Sequence, residues 1–155
     1  HGHWDHMLDA EAVRNRGNVE VYAHPDDRQL IENPELMANY ALPDLEWTPA
    51  TVDHWLAGSE TLTRAGQEIK VRHVPGHAPG SVLFYFPKAG VAFGGDALFA
   101  GGVGRFDLPG GSWEVLEKSI REQIYTLPES TVVYPGHGPE TSVGQEKQTN
   151  PYVQG

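Results

Sequence analysis

Apolar residues along this chain switch repeatedly between helical and strand-like spacing, which predicts an alternating α/β organisation without internal repeats. Leu8 to Arg16 reads as a helix with Gly17 as its C-terminal stop, since glycine takes the left-handed backbone that ends helices. Val19, Val21 and Ala23 line one face of a short strand over Val19 to Ala23. Asp26 to Ile31 reads as a short helix, and Glu32 to Asp53 as a looser, proline-bearing connection. Thr61 to Val74 predicts a hairpin turning at Ala65-Gly66-Gln67, its second strand setting Ile69, Val71 and His73 against Lys70 and Arg72. A second hairpin joins Ser81 to Phe86 with Val91 to Phe93 around Pro87-Lys88-Ala89-Gly90. Ser112 then caps a helix in which Val115 or Leu116, Ile120 and Ile124 repeat at helical spacing, and Thr131 to Tyr134 is a last strand.

The chemistry gathers where these elements end. His1-Gly2-His3-Trp4-Asp5-His6 puts three imidazoles and a carboxylate into six residues. Residues two apart share one side of an extended chain, so His1 and His3 face one way, while Asp5 and His6 turn toward a different point. That spacing suits two neighbouring metal positions better than one. An affinity tag is the bland alternative, but tags are unbroken histidine runs and this one is interrupted by Trp4 and Asp5. His77 in Pro75-Gly76-His77-Ala78-Pro79-Gly80-Ser81, Asp96 in Phe93-Gly94-Gly95-Asp96-Ala97-Leu98 and His137 in Tyr134-Pro135-Gly136-His137-Gly138-Pro139 each follow a hydrophobic run inside a glycine- or proline-rich turn. Such turns let the backbone leave a strand sharply and hold a side chain at its end. Imidazole and carboxylate suit zinc, iron or manganese, and the absence of cysteine excludes a thiolate site.

These motifs, in this order, resemble the metallo-β-lactamase-fold hydrolases, and most of all their small bacterial glyoxalase II-like (hydroxyacylglutathione hydrolase-like) branch. Gly101-Gly102-Val103-Gly104-Arg105-Phe106-Asp107-Leu108-Pro109-Gly110-Gly111 and Thr149-Asn150-Pro151-Tyr152-Val153 extend the resemblance over essentially the whole chain. It implies a four-layer αββα sandwich, here one domain over residues 1–155 without its N-terminal strands. Relatives carry about a third of a domain of about 200 residues before this histidine motif, so truncation at the N-terminus is expected. The resemblance also implies that His1, His3 and His77 hold one metal, that Asp5, His6 and His137 hold a second, and that Asp96 bridges them. A bridging carboxylate keeps two cations about 3.5–4 Å apart and a water between them is acidified toward a pKa of about 7. The implied reaction is attack of that hydroxide on a thioester, such as an acylglutathione, with Asp5 also receiving a proton as the intermediate collapses. Two zinc ions are the first choice of cofactor, iron or manganese the others.

Two departures from the family pattern bear on substrate. Phe106 stands where relatives more often have a small hydroxyl residue, and the chain stops soon after Asn150-Pro151, without the basic C-terminal helices that larger relatives use for glutathione. The main competing reading is a persulfide dioxygenase of the same fold with one iron; Gly138-Pro139-Glu140-Thr141 after His137 resembles the hydrolase branch more. Two-zinc lactamases commonly use a cysteine where this chain has Asp96, and nucleases of the fold need an inserted domain for which there is no room. A noncatalytic binding module usually lacks ligands, and all seven are present.

Charge and length narrow the partners. The 155 residues suffice for one sizeable core, and the net charge of −10 disfavours nucleic acid or an anionic membrane, leaving a small-molecule substrate. No apolar stretch approaches the roughly 20 residues of a membrane span, and a cysteine-free chain is compatible with a reducing cytoplasm, the expected location. Among the other histidines, His24 beside Asp26 and Asp27 reads as structural, with that acidic pair as helix N-terminal chemistry. His54 reads as surface and His73 as a satisfied core histidine rather than a partner behind the site. Arg105 and Asp107 read as an internal ion pair, and Lys118 and Arg121 as a solvated face.

Overall fold

The computed structural model describes residues 1–45 and 47–155. The chain runs through α1 (Trp4–Met7), α2 (Ala10–Gly17), β1 (Tyr22–Ala23), α3 (Arg28–Glu32) and β2 (His54–Trp55). Next come β3 (Thr61–Arg64), β4 (Gln67–His73), β5 (Val82–Phe86), β6 (Val91–Gly95), β7 (Leu98–Phe99) and β8 (Gly102–Val103). It closes with α4 (Trp113–Ser119), β9 (Val132–Pro135), β10 (Thr141–Ser142) and α5 (Val143–Thr149).

Both hairpins form where their turn residues place them and supply four neighbouring strands of a six-stranded sheet, ordered β10-β9-β6-β5-β4-β3. Every neighbouring pair is antiparallel except β6 and β9, whose parallel crossover passes through α4. The sheet's helix-covered face buries Val74, Leu83, Tyr85, Ala92 and Val133 against Leu116, Ile120, Ile124 and Val143. Each such Val, Leu or Ile contributes about 1.5–3 kcal/mol of burial, which makes this the main core. Ser112 caps α4 by accepting from Val115 N–H, and of the two residues that fitted the helical spacing Leu116 is buried while Val115 is exposed. The helix runs on into a π-helical turn at Ile120–Ile124.

The opposite face packs on the parallel pair β1–β2: Leu56, Val71 and Val82 gather with Tyr22, Leu62 and Phe84. Behind that pair, Met7, Ile31 and Ala50 join Ala10, Ala23, Val52 and Trp55. The layers are therefore helix, sheet, sheet, helix, as the family resemblance implies. No helix among the described residues is long and apolar enough to cross a membrane.

The N-terminal third departs most from the pattern. A separate turn, α1, occupies Trp4–Met7, so α2 starts at Ala10 rather than Leu8. Gly17 stays helical; Asn18, at φ +46°, returns its N–H to Arg14 O and ends the helix, a conformation asparagine tolerates. The strand expected from Val19 shrinks to Tyr22–Ala23 because Val19 N–H is spent on the helix end and Val21 N–H on the Asp53 carboxylate. The Asp26 to Ile31 helix is a 3-10 turn, Pro25–Asp27, followed by α3. The connection from Glu32 to Asp53 contains a further 3-10 helix, Pro34–Tyr40; Glu46 within it lies outside the described residues.

Candidate metal centre

Three strand ends deliver three of the ligand candidates to one rim. His77 lies past the end of β4, Asp96 directly follows β6, and His137 stands two residues after β9. His1 and His3 precede α1, with His3 at its N-cap in extended backbone, and Asp5 and His6 occupy α1 itself. The structure brings all seven together.

His1 Nε2 lies 3.1 Å from His3 Nδ1 and 3.1 Å from His77 Nε2, and the last two are 2.9 Å apart. On the other side, His137 Nε2 is 3.0 Å from Asp5 Oδ2 and 3.3 Å from His6 Nε2. Asp96 stands between the groups. Its Oδ1 is 3.3 Å from His6 Nε2, and its Oδ2 is 3.6 Å from His77 Nε2 and 3.4 Å from His137 Nε2.

Protons alone do not satisfy this arrangement. His77 Nδ1 donates to the Arg105 carbonyl at 2.7 Å, and a carbonyl only accepts, so a neutral His77 presents a bare Nε2 to the centre. That one lone pair faces nitrogens of both His1 and His3. Asp96 Oδ1, His1 Nδ1 and His3 Nε2 are buried without a hydrogen-bond partner among the described residues. Burial, with the neighbouring His77, pushes His3 down to about 4, and burial also lowers His77, so both stay neutral at pH 7. Burial opposes ionisation of Asp96, but contact with His6 and the charges of His6, His77 and His137 outweigh it and hold the carboxyl below its ordinary range. Neutral imidazoles and ionised carboxylates converging on two points are the states that bind divalent cations, so the residues fit a pair of such ions.

The surroundings hold this geometry. Ser119 Oγ donates to Pro75 O at 2.7 Å and Ser112 N–H to Gly76 O at 2.9 Å, tying the His77 turn to α4. Gly136 leaves no space for a side chain, because a Cβ there would run into the Asp96 carboxylate and the His6 ring. In front of the ligands opens a cleft of about 310 Å³ whose remaining walls are Trp4, Met37, Tyr40, Phe99, Arg105 and Leu108. Trp4 packs with Trp47 against Leu30, Met37 and Ala78. Hydropathy pattern did not single out this wall, since its residues come from four separated segments.

Arg105 and Asp107 form the expected two-pronged ion pair at 3.0 and 2.9 Å, with both side chains exposed. Phe106 packs its ring 5.3 Å from Trp113. His54 is exposed and pairs with Glu20. His24, His73 and Asp26 also cluster, but the two rings stack at 3.9 Å and 12°. Lone pairs in nearly parallel planes do not meet at one ion, and His73 Nε2 already donates to Pro79 O at 2.8 Å. Asp27, read as helix N-terminal chemistry, makes no side-chain cap to α3; it is buried and reaches Gly2 and Gly80 instead. Nothing local distinguishes it from an ordinary capping aspartate.

A family model described as Metallo-beta-lactamase superfamily matches residues 1–137. The hydroxyacylglutathione hydrolase GloC of Haemophilus influenzae is 37% identical over 157 residues, spanning 99% of this chain and 73% of that protein. The crystal structure of the BLEG-1 B3 metallo-beta-lactamase superposes with a TM-score of 0.92 at 42% identity, covering 100% of this chain and 75% of the other. That of TTHA1623 in a di-iron-bound form gives 0.86 at 37% identity, covering 99% and 74%.

Proposed function

The chain belongs to the metallo-beta-lactamase superfamily, and on that premise we propose that it is a binuclear metal-dependent hydrolase of a thioester such as an acylglutathione. One observation carries the two-metal reading: Asp96 directs a carboxylate oxygen to each group of histidines. His1, His3 and His77 would hold one ion, Asp5, His6 and His137 the other, and Asp96 both. Two divalent ions would supply Lewis acidity and would bring a bound water's pKa toward about 7. Zinc suits this all-nitrogen-and-oxygen donor set, and so do iron and manganese.

The chain's own residues account for the rest. The Arg105 carbonyl keeps the His77 proton on Nδ1, away from the centre. Asp5 lines the cleft and would accept a proton as the thioester is cleaved. Trp4, Met37, Phe99 and Leu108 offer an apolar seat for the acyl group and shield it from water. A thiolate leaves readily, so the reaction demands no strong general acid. Likeness to GloC favours a glutathione thioester as the small-molecule substrate. The net charge of −10 favours neither nucleic acid nor an anionic membrane as partner.

The test combines elemental mass spectrometry on protein purified without chelators with thioester hydrolysis. Two metal equivalents and loss of hydrolysis in Asp96→Ala are expected; hydrolysis unchanged by that substitution overturns the assignment. A second reading, a single-iron persulfide dioxygenase, draws on the suitability of imidazole and carboxylate donors for iron, although the di-iron-bound TTHA1623 structure favours two ions over one. One iron per chain with oxygen uptake on glutathione persulfide would replace the hydrolase reading. A β-lactam belongs in the same substrate panel because of the likeness to BLEG-1.

A further inference from the structure

We infer that Asp27 is a positioning residue for the first metal, its carboxylate stapling together the two segments that carry His1, His3 and His77; the inference rests on the two-metal reading above. Asp27 is 1% exposed, and both its oxygens are spent on backbone N–H groups. Gly2 N–H donates to Oδ2 at 2.8 Å and Gly80 N–H to Oδ1 at 2.6 Å. Gly2 sits between His1 and His3, and Gly80 lies three residues after His77. One carboxylate thus sets the separation of the two backbones whose imidazoles meet at 2.9–3.1 Å.

The approach is too close for a side chain on the far segment. A Cβ on Gly80 would lie 2.6 Å from the Asp27 carboxyl carbon and 2.7 Å from its backbone nitrogen. A buried carboxylate is costly to desolvate, and charge-assisted bonds to two N–H groups offset that cost only while both segments stay in place. These bonds tie both segments of the first triad, whereas of the other ligands only Asp5 and His6 lie on a tied segment, three and four residues past Gly2, and Asp96 and His137 lie on neither, so its effect falls mainly on the first triad. That asymmetry separates a positioning role from a general contribution to folding.

The test uses Asp27→Asn, which keeps shape but turns an amide N–H toward one of the two backbone N–H groups. Metal-free wild type and variant are titrated with Co²⁺ against a chromophoric chelator, with thermal melts of both metal-free forms alongside. Wild type is expected to bind two equivalents, and the variant to bind one of them about 10–100-fold more weakly, the range for loss of an outer-shell partner, while the other is retained. Two equivalents at wild-type affinity in a folded variant overturn the staple, and so does equal weakening of both. A wild type that binds fewer than two equivalents overturns the two-metal reading itself and the staple with it. Should Asp27→Asn fail to fold, Gly80→Ala pushes the His77 segment off Asp27 and so breaks the staple from the other side, and it is held to the same outcomes.

Discussion

The two triads of the centre differ sharply in how deeply they are built into the protein. His3 and His77 are 3% and 4% exposed, while the His137 side chain is 56% exposed and that of Asp5 31%. The buried triad is wired from behind, by Arg105 O to His77 and by Asp27 to both of its segments. The open triad is contacted mainly by its own members and by Asp96. The difference teaches that, on the two-metal proposal, one position would be continuous with the core, whereas the other would belong to the cleft wall. Asp96, which approaches His77 on one side and both His6 and His137 on the other, lies between them.

The largest expected break in this contrast comes from truncating one histidine of each triad. His77→Ala leaves the Arg105 carbonyl without its donor and is expected to destabilise the metal-free protein by about 1–3 kcal/mol. His137→Ala, exposed, is expected to stay within about 0.5 kcal/mol. Urea unfolding of both variants checks this, and an equal loss would erase the distinction. Acid should find the same asymmetry. With a folded-state pKa of about 4 against 6.5 unfolded, His3 resists protonation in the native state. Its contribution is therefore present above pH 6.5 and is lost as pH falls toward 4, with His77 acting in the same direction. The urea midpoint of metal-free protein should fall across that window, and His3→Gln should flatten the fall.

Smaller effects sharpen the comparison. Ser119→Ala removes the bond to Pro75 O and is expected to cost about 0.5–1.5 kcal/mol in the same unfolding assay. By loosening the His77 turn it should weaken one of two metal equivalents and spare the other. Arg105→Ala should barely move the thermal midpoint, because its ion pair with Asp107 is exposed and His77 uses the backbone carbonyl, which alanine retains. A clear drop there would assign the guanidinium a structural role.

Much of this molecule was legible before its coordinates. The turns at Ala65-Gly66-Gln67 and Pro87 to Gly90 produced the hairpins because period-two alternation and turn chemistry agree there. The N-terminal third was read less well, since local signals competed. Asn18 took the stop that Gly17 suggested, and Asp53, far along the chain, captured the Val21 N–H needed to extend β1.

The sequence by itself determined the donor types, their order, the division of the first six residues between two directions and the family to which the whole belongs. Those follow from covalent spacing and side-chain chemistry, which travel with the chain. Only the tertiary structure decided which imidazole nitrogen faces the centre, that Asp96 reaches both triads, and that Asp27 serves two distant glycines rather than its own helix. Those are relations between segments as many as 90 residues apart. They depend on how sheets and helices pack, and no local pattern encodes the direction in which a buried side chain points.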